Sequence, residues 1–187
     1  MKGRLVAGIF WCGIALAAAC GGGGSGGGTN ETAADALSRG LAAHTAGKLD
    51  EAVAAYFTTL SKEPTNKFAF YNLGEIAQRQ NRLAAAESFY RLALDQDPKM
   101  EVALFNLAIL RTSLGATADA VALYRQVIAV DPNYAAAHFN LGLLLRQLGQ
   151  TAEAQTELAT AQKLDPTLVA PSPPASPIRQ ASPSPKP

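Results

Sequence analysis

The sequence predicts an all-α fold in which four similar helix pairs stack side by side. Three observations carry that prediction. Pro64, Pro98, Pro132 and Pro166 stand 34 residues apart, and a fixed period of that length marks units that cannot bury an apolar face alone and must stack to do so. Within each period the eighth residue is small (Gly40, Gly74, Ala108, Gly142), and so is the twentieth (Ala52, Ala86, Ala120, Ala154). The seventh (Arg39, Leu73, Leu107, Leu141) and the twenty-fourth (Tyr56, Tyr90, Tyr124, Leu158) are mostly bulky and apolar. Small side chains let antiparallel helices approach, and bulky ones beside them fill the core to native density. Third, Gly47, Asn81, Gly115 and Gly149 punctuate the units; Gly or Asn suits a left-handed helix end.

The chain opens with Lys2 and Arg4, an apolar run from Leu5 to Ala19, then Cys20. A positive flank, a short apolar core and small residues before a cleavage point describe an export signal over residues 1–19. Its 15 apolar-core residues are fewer than the ~20 needed to span hydrocarbon as a helix. Leu16-Ala17-Ala18-Ala19-Cys20 looks like a bacterial lipoprotein signal, although Ala17 stands where a larger aliphatic is usual. That resemblance implies that Cys20 becomes the first mature residue and carries lipid, because diacylglyceryl transfer needs a thiol nucleophile. Two other readings stay open: ordinary signal cleavage with Cys20 left as a free thiol, and an uncleaved anchor. Residues 20–31 form a glycine-rich linker, Gly21–Gly28 being broken only by Ser25. Eleven such residues from Gly21 behave as a flexible coil spanning roughly 18 Å on average. Acyl chains contribute ~0.8 kcal/mol per buried methylene, so two or more hold a chain stably on a bilayer. By the same resemblance Gly21, not an aspartate, after the cysteine favours the periplasmic face of the outer membrane.

The repeat domain occupies residues 32–166, as units 33–66, 67–100, 101–134 and 135–166. In each unit the first helix ends near the Gly or Asn signal. The second ends at Glu63-Pro64, Asp97-Pro98, Asp131-Pro132 or Asp165-Pro166, since proline disfavours helical geometry in the residue before it. Thr151–Leu164, rich in Glu153, Gln155, Thr156, Glu157, Thr160, Gln162 and Lys163, is polar enough to cap the stack. Residues 167–187 follow as a tail of proline, serine and alanine. Such a segment builds no packed core and leans toward polyproline conformations. It reads as an exposed disordered tail, a spacer, a ligand for another module, or an arm toward cell-wall material.

At Phe70, Leu73, Gly74, Ala86, Tyr90 and Pro98 the second unit matches the tetratricopeptide-repeat (TPR) pattern, and residues 33–166, about 70% of the chain, resemble that family. The first unit departs from it at Ala36 and Arg39, the fourth at His138 and Leu158. The resemblance implies a right-handed α-solenoid of four helix-turn-helix repeats, a concave groove lined by first helices, and binding rather than chemistry.

Composition and motifs narrow the function. The chain carries 16 Lys+Arg and 15 Asp+Glu, so it is nearly neutral with or without Lys2 and Arg4. No basic stripe is present, which argues against a nucleic-acid partner. Cys12 and Cys20 both lie at or before the proposed cleavage point, leaving the repeats without a disulfide, thiol nucleophile or cysteine ligand. The two histidines, His44 and His138, sit in the first and last repeats, and His138 falls on the core face, where a hydrogen-bonded buried ring is expected. The glycine run follows no strand, so it is no phosphate loop. No enzyme, cofactor, metal or small-molecule substrate is expected. Binding is assigned to the first helices. The fifth positions read Leu37, Tyr71, Phe105, Phe139 and the sixth Ser38, Asn72, Asn106, Asn140. In related repeat proteins such asparagines hold peptide main chain, and an amide offers both donor and acceptor. The candidate peptide-binding residues are therefore Tyr71, Asn72, Phe105, Asn106, Phe139 and Asn140. The competing reading is that the aromatics pack between repeats and the asparagines tie neighbouring helices. Val102, Asn106, Ala136 and Asn140 stand where carboxylate-clamping repeats carry cations, which argues against a receptor for C-terminal carboxylates. The expected function is a lipid-anchored adaptor that binds a partner protein segment within a bacterial envelope assembly system (pilus, secretion or outer-membrane biogenesis). The alternative is a structural subunit packing by its convex face or ends.

Overall fold

The computed structural model describes residues 31–171; the predicted signal, Cys20, most of the linker and residues 172–187 lie outside them. Within that span the chain forms eight α-helices and no strand. They are α1 (Ala33–Thr45), α2 (Leu49–Lys62), α3 (Lys67–Arg79), α4 (Leu83–Gln96), α5 (Glu101–Ser113), α6 (Thr117–Val130), α7 (Ala135–Gln147) and α8 (Thr151–Leu164). Odd and even helices pair within a repeat, and each even helix packs on the next odd one.

Recurring local chemistry closes the C-terminal end of every helix, and side-chain caps open α1 and α3. Thr32 caps α1 in a reciprocal box with Asp35, and the Asn66 side chain accepts from the Ala69 amide at 2.9 Å to open α3, so orphan first-turn donors find partners. Each first helix ends in a left-handed residue: Gly47, Gly115 and Gly149 with φ of 74°, 73° and 76°, and Asn81 with φ of 57°. There the amide beyond the left-handed residue reaches back into the helix, as in Lys48 N to Ala43 O and Arg82 N to Ala77 O at 2.9 and 2.8 Å. This double closure satisfies carbonyls that would otherwise be orphaned. Each second helix ends at the acid before proline, followed by a turn whose closing amide donates to that acid's carbonyl, at 3.1 Å in all four joints. Proline presets the backbone of that turn. At three joints the aspartate side chain also accepts from the amide two residues on, from Lys99, Asn133 and Thr167.

The core forms where the small columns meet the bulky ones. Tyr56, Tyr90 and Tyr124 are fully buried, as are Ala52, Ala86, Ala120 and Ala154. A methyl placed on Gly40 or Gly74 would stand 2.6 Å from the ring of Tyr56 or Tyr90, so glycine sets how closely those pairs approach. The core is continuous across repeats: Leu104 and Ala108 of α5 share a cluster with Tyr124 of α6, Leu141 of α7 and Ala154 of α8. Half-buried Arg111 of α5 pairs with Glu87 of α4, and Arg125 of α6 with Glu153 of α8 at 2.7 Å. His138, buried, sits between Glu157 Oε2 at 2.6 Å and the carbonyl of Pro132 at 3.0 Å. That is the hydrogen-bonded core histidine expected from its position.

Candidate functional site

The first helices build three hollows in series, one at each junction between repeats. The first, of about 340 Å³, is bordered by Leu41, His44 and Thr45 of α1, by Gly47, and by Asn72 and Arg79 of α3. The second, about 350 Å³, is bordered by Glu75, Gln78 and Arg79 of α3, Tyr90 of α4 and Asn106 of α5. The third, about 400 Å³, takes Ile109, Thr112 and Ser113 of α5, Tyr124 of α6, and Asn140, Leu143, Leu144 and Gln147 of α7. One plan underlies all three. The ninth, twelfth and thirteenth residues of one first helix form a wall, and the asparagine at the sixth position of the next supplies the opposite edge. Residues at such spacing lie within one turn of each other on a helix, so a single face presents them together.

The candidate asparagines thus all reach the hollows, but with different freedom. Asn72 is buried and its side-chain amide donates to the Phe68 carbonyl one turn back at 2.7 Å. Asn106 donates to the Tyr71 hydroxyl at 3.2 Å, tying α5 to α3. Asn140 is half-buried at the rim of the third hollow. The aromatic candidates sit deeper. Tyr71 lies against the Tyr90 ring with centroids 6.1 Å apart and packs on Met100 and Ala103. The Phe105 ring lies 4.9 Å from that of Tyr134 and 5.9 Å from that of Tyr124. Both are half-buried between repeats and border none of the three hollows, while Phe139 is half-buried on α7.

Electrostatics vary along the row. At the first hollow Arg79 Nη1 lies 3.2 Å from His44 Nε2, and His44 Nδ1 lies 3.5 Å from the Tyr56 hydroxyl. Burial, with the Glu75 carboxylate adding to it, pushes the Tyr56 phenol up to about 12 and those of Tyr71 and Tyr90 in the same direction. Burial raises Tyr124 as well, opposed by hydrogen bonding with Thr112 and Asn140. The Tyr90 hydroxyl donates to Gln78 at 2.7 Å, so the floor of the second hollow is a fixed polar network. The third hollow has no charged side chain: Ile109, Leu143 and Leu144 share it with Tyr124 and the uncharged polar groups of Thr112, Ser113, Asn140 and Gln147. Among the described residues no group of His, Cys, Asp and Glu could hold a metal ion, and no helix is long and apolar enough to cross a membrane.

Residues 37–101 and 135–168 match the family described as tetratricopeptide repeat, and residues 110–149 match that described as TPR repeat. The chain is a tetratricopeptide-repeat protein. No curated protein matches the sequence. Among solved structures it is similar to MamA, with a TM-score of 0.67 and 20% identity over 73% of this chain and 80% of that one. It is similar also to a tetratricopeptide repeat protein from Parabacteroides merdae, with a TM-score of 0.65 and 27% identity, over 72% of this chain but only 54% of the other. A third, the MamA RS-1 ArsTM double mutant, gives a TM-score of 0.65 at 15% identity over 74% of this chain and 78% of that one. These likenesses establish the α-solenoid of TPR helix pairs. Its class of function is that of an adaptor or scaffold for protein–protein interaction.

Within the TPR frame, the sequence reading put the twelfth position on the groove face but did not name the wall residues His44, Gln78, Thr112, Ser113 and Gln147 among the binding candidates. They are chemically dissimilar from repeat to repeat, so no column stands out; only their shared phase, one turn beyond the ninth position, could have found them. Tyr90 and Tyr124 were read as core alone, although each also floors a hollow.

Proposed function

We propose that this TPR protein is a lipid-anchored adaptor that holds a segment of a partner protein along its first-helix groove. The observation that carries the reading is the threefold repetition of one hollow in series, each edged by an asparagine. An extended chain presents amides at regular intervals, and a row of side-chain amides with spaces between them matches that pattern. Asn72, Asn106 and Asn140 would meet main chain, with Tyr71, Phe105 and Phe139 as the framework that sets their spacing. The reading is a non-catalytic one. Anchorage rests on the sequence alone: Cys20 would carry the lipid, the glycine-rich linker would tether the repeats, and the protein would act on the bacterial envelope, at the periplasmic face of the outer membrane. Service to a pilus, secretion or outer-membrane assembly system follows from that location and the fold class by analogy.

The alternative, a structural subunit docking by its outer face, is favoured by Phe57 on α2 and Leu92 on α4, which are 52% and 38% exposed. Photo-crosslinkers placed separately at Leu143 in the groove and at Phe57 outside it distinguish the two. A partner joined at Leu143, and lost on Asn106→Ala, supports the groove reading. One joined only at Phe57 supports the alternative and refutes the groove.

A further inference from the structure

The three hollows share a plan but not a chemistry, and the difference points to the occupant. Most arginines among the described residues are already committed: Arg39 to Glu31, Arg91 and Arg111 to Glu87, Arg125 to Glu153. Arg146 donates to the Pro171 carbonyl at 2.7 Å. Arg79 differs from these. Its exposed side chain borders the first and second hollows together, and the group it meets at 3.2 Å is the His44 imidazole, not a carboxylate. A guanidinium has five N–H donors in a planar fork, and one imidazole nitrogen occupies few of them. Glu75, on the same helix, makes no ion pair among the described residues and borders the second hollow but not the first. An incoming carboxylate is therefore repelled from the second hollow and drawn to the first, where Asn72 and His44 add polar neighbours. At the other end Ile109, Leu143, Leu144 and the Tyr124 ring, together with four uncharged polar side chains, surround about 400 Å³ whose exposed lining is mostly apolar, a space suited to one large apolar group.

Resting on the groove reading above, we infer that the occupant is an extended peptide segment with an Asp or Glu side chain in the first hollow, on Arg79, and a Leu- or Phe-sized side chain in the third. The spacing between them follows from the stack. Successive first helices meet only through the ends of side chains, Arg79 to His44 and Asn106 to Tyr71, and not through the close packing of a helix pair, so their axes stand no nearer than packed helices do, about 8–10 Å. Two such steps make at least roughly 16–20 Å, and a strand-like chain rising ~3.3 Å per residue needs about five or six residues or more to cover that.

The test is selection of random twelve-residue peptides displayed on phage against the full-length chain, followed by affinity measurement on the synthetic consensus peptide. Enriched peptides should carry an acid and a large apolar residue at a fixed separation of at least about five positions. The consensus should lose ~10-fold or more in affinity on Arg79→Ala or on replacing its own acid by the amide, as expected for a charge-assisted contact. It should also weaken with salt, and Arg79→Glu should shift selection toward lysine at the acid's position. Arg79 is exposed, so these variants should keep the helicity of the parent. If enriched peptides lack the acid and ignore Arg79→Ala, yet fail on Leu143→Asp and Asn106→Ala, the inference is overturned while the groove reading stands. If nothing is enriched, or binding ignores all three substitutions, both fall.

Discussion

Substituting Gly74→Ala sets helix propensity against packing, with opposite signs. In the interior of α3, alanine should stabilise by about 1 kcal/mol over glycine on backbone entropy alone. The added methyl, however, would stand 2.6 and 2.7 Å from two ring carbons of Tyr90 and 3.2 Å from a third. Ordinary carbon contacts begin near 3.5 Å, so ring or helix must retreat by close to an ångström. The ring is wholly buried, and its hydroxyl is held by Gln78 at 2.7 Å. Overpacking of this kind costs about 1–3 kcal/mol, and pulling the hydroxyl off its acceptor costs about 1 more. The sum is a net loss of about 1–3 kcal/mol. Urea unfolding followed by circular dichroism reads it directly, as a lower midpoint at unchanged slope. Gly40→Ala should cost less, because the Tyr56 hydroxyl has only a 3.5 Å contact with His44 to lose. A Gly74→Ala protein as stable as the parent, or more so, would refute the claim that glycine sets the α3–α4 distance.

Four further outcomes are expected. Asn81 sits at φ of 57°, so Asn81→Gly should be neutral or mildly stabilising and Asn81→Ala should cost ~1 kcal/mol, in the same urea assay. Ala86→Leu or Ala120→Leu, at fully buried positions, should cost ~1–3 kcal/mol by overpacking, and an unchanged melt would contradict the helix contacts described. Folded-state phenols raised to about 12 in Tyr56 and upward in Tyr71, Tyr90, Tyr124 and Tyr134 make the unfolded chain release protons first. Stability should thus be complete below about pH 10, the ordinary tyrosine value, and decline as pH rises through the folded values. Tyrosinate absorbance should then appear together with loss of helicity, and not before it. Finally, labelled palmitate should be incorporated into the parent in bacterial cells and vanish with Cys20→Ala; label retained in that variant would remove the lipid anchor from the proposal.

Much of the fold was legible because its determinants are local and recur. The acid-proline pair, the left-handed Gly or Asn and the glycine opposite tyrosine each act within one repeat, so a period in the letters becomes a period in space. The site was less legible because it lies between repeats. Asn72, Asn106 and Asn140 could be placed on the groove from their phase, but whether a side-chain amide is spent inside the stack depends on a neighbour. Asn72 turns back to Phe68 and Asn106 to Tyr71, and no column of residues announces either bond. The same is true of Tyr71 and Phe105, whose rings serve the contact between repeats as much as its surface. Arg79 and His44 were invisible as a pair because they stand 35 residues apart in different units.

The grip of His138 on both Glu157 and the Pro132 carbonyl has a mechanical consequence. The corresponding residues in the other units, Ala36, Phe70 and Leu104, have no side-chain polar atom to offer, so only the joint at Pro132 is pinned in this way to both helices that follow it. A solenoid flexes at its joints like a spring at its coils. Here the joint beside the third hollow should be stiffer than the one at Pro64, while the joint at Pro98 is tied from the other side, Asp97 to Lys67 of α3 at 2.6 Å.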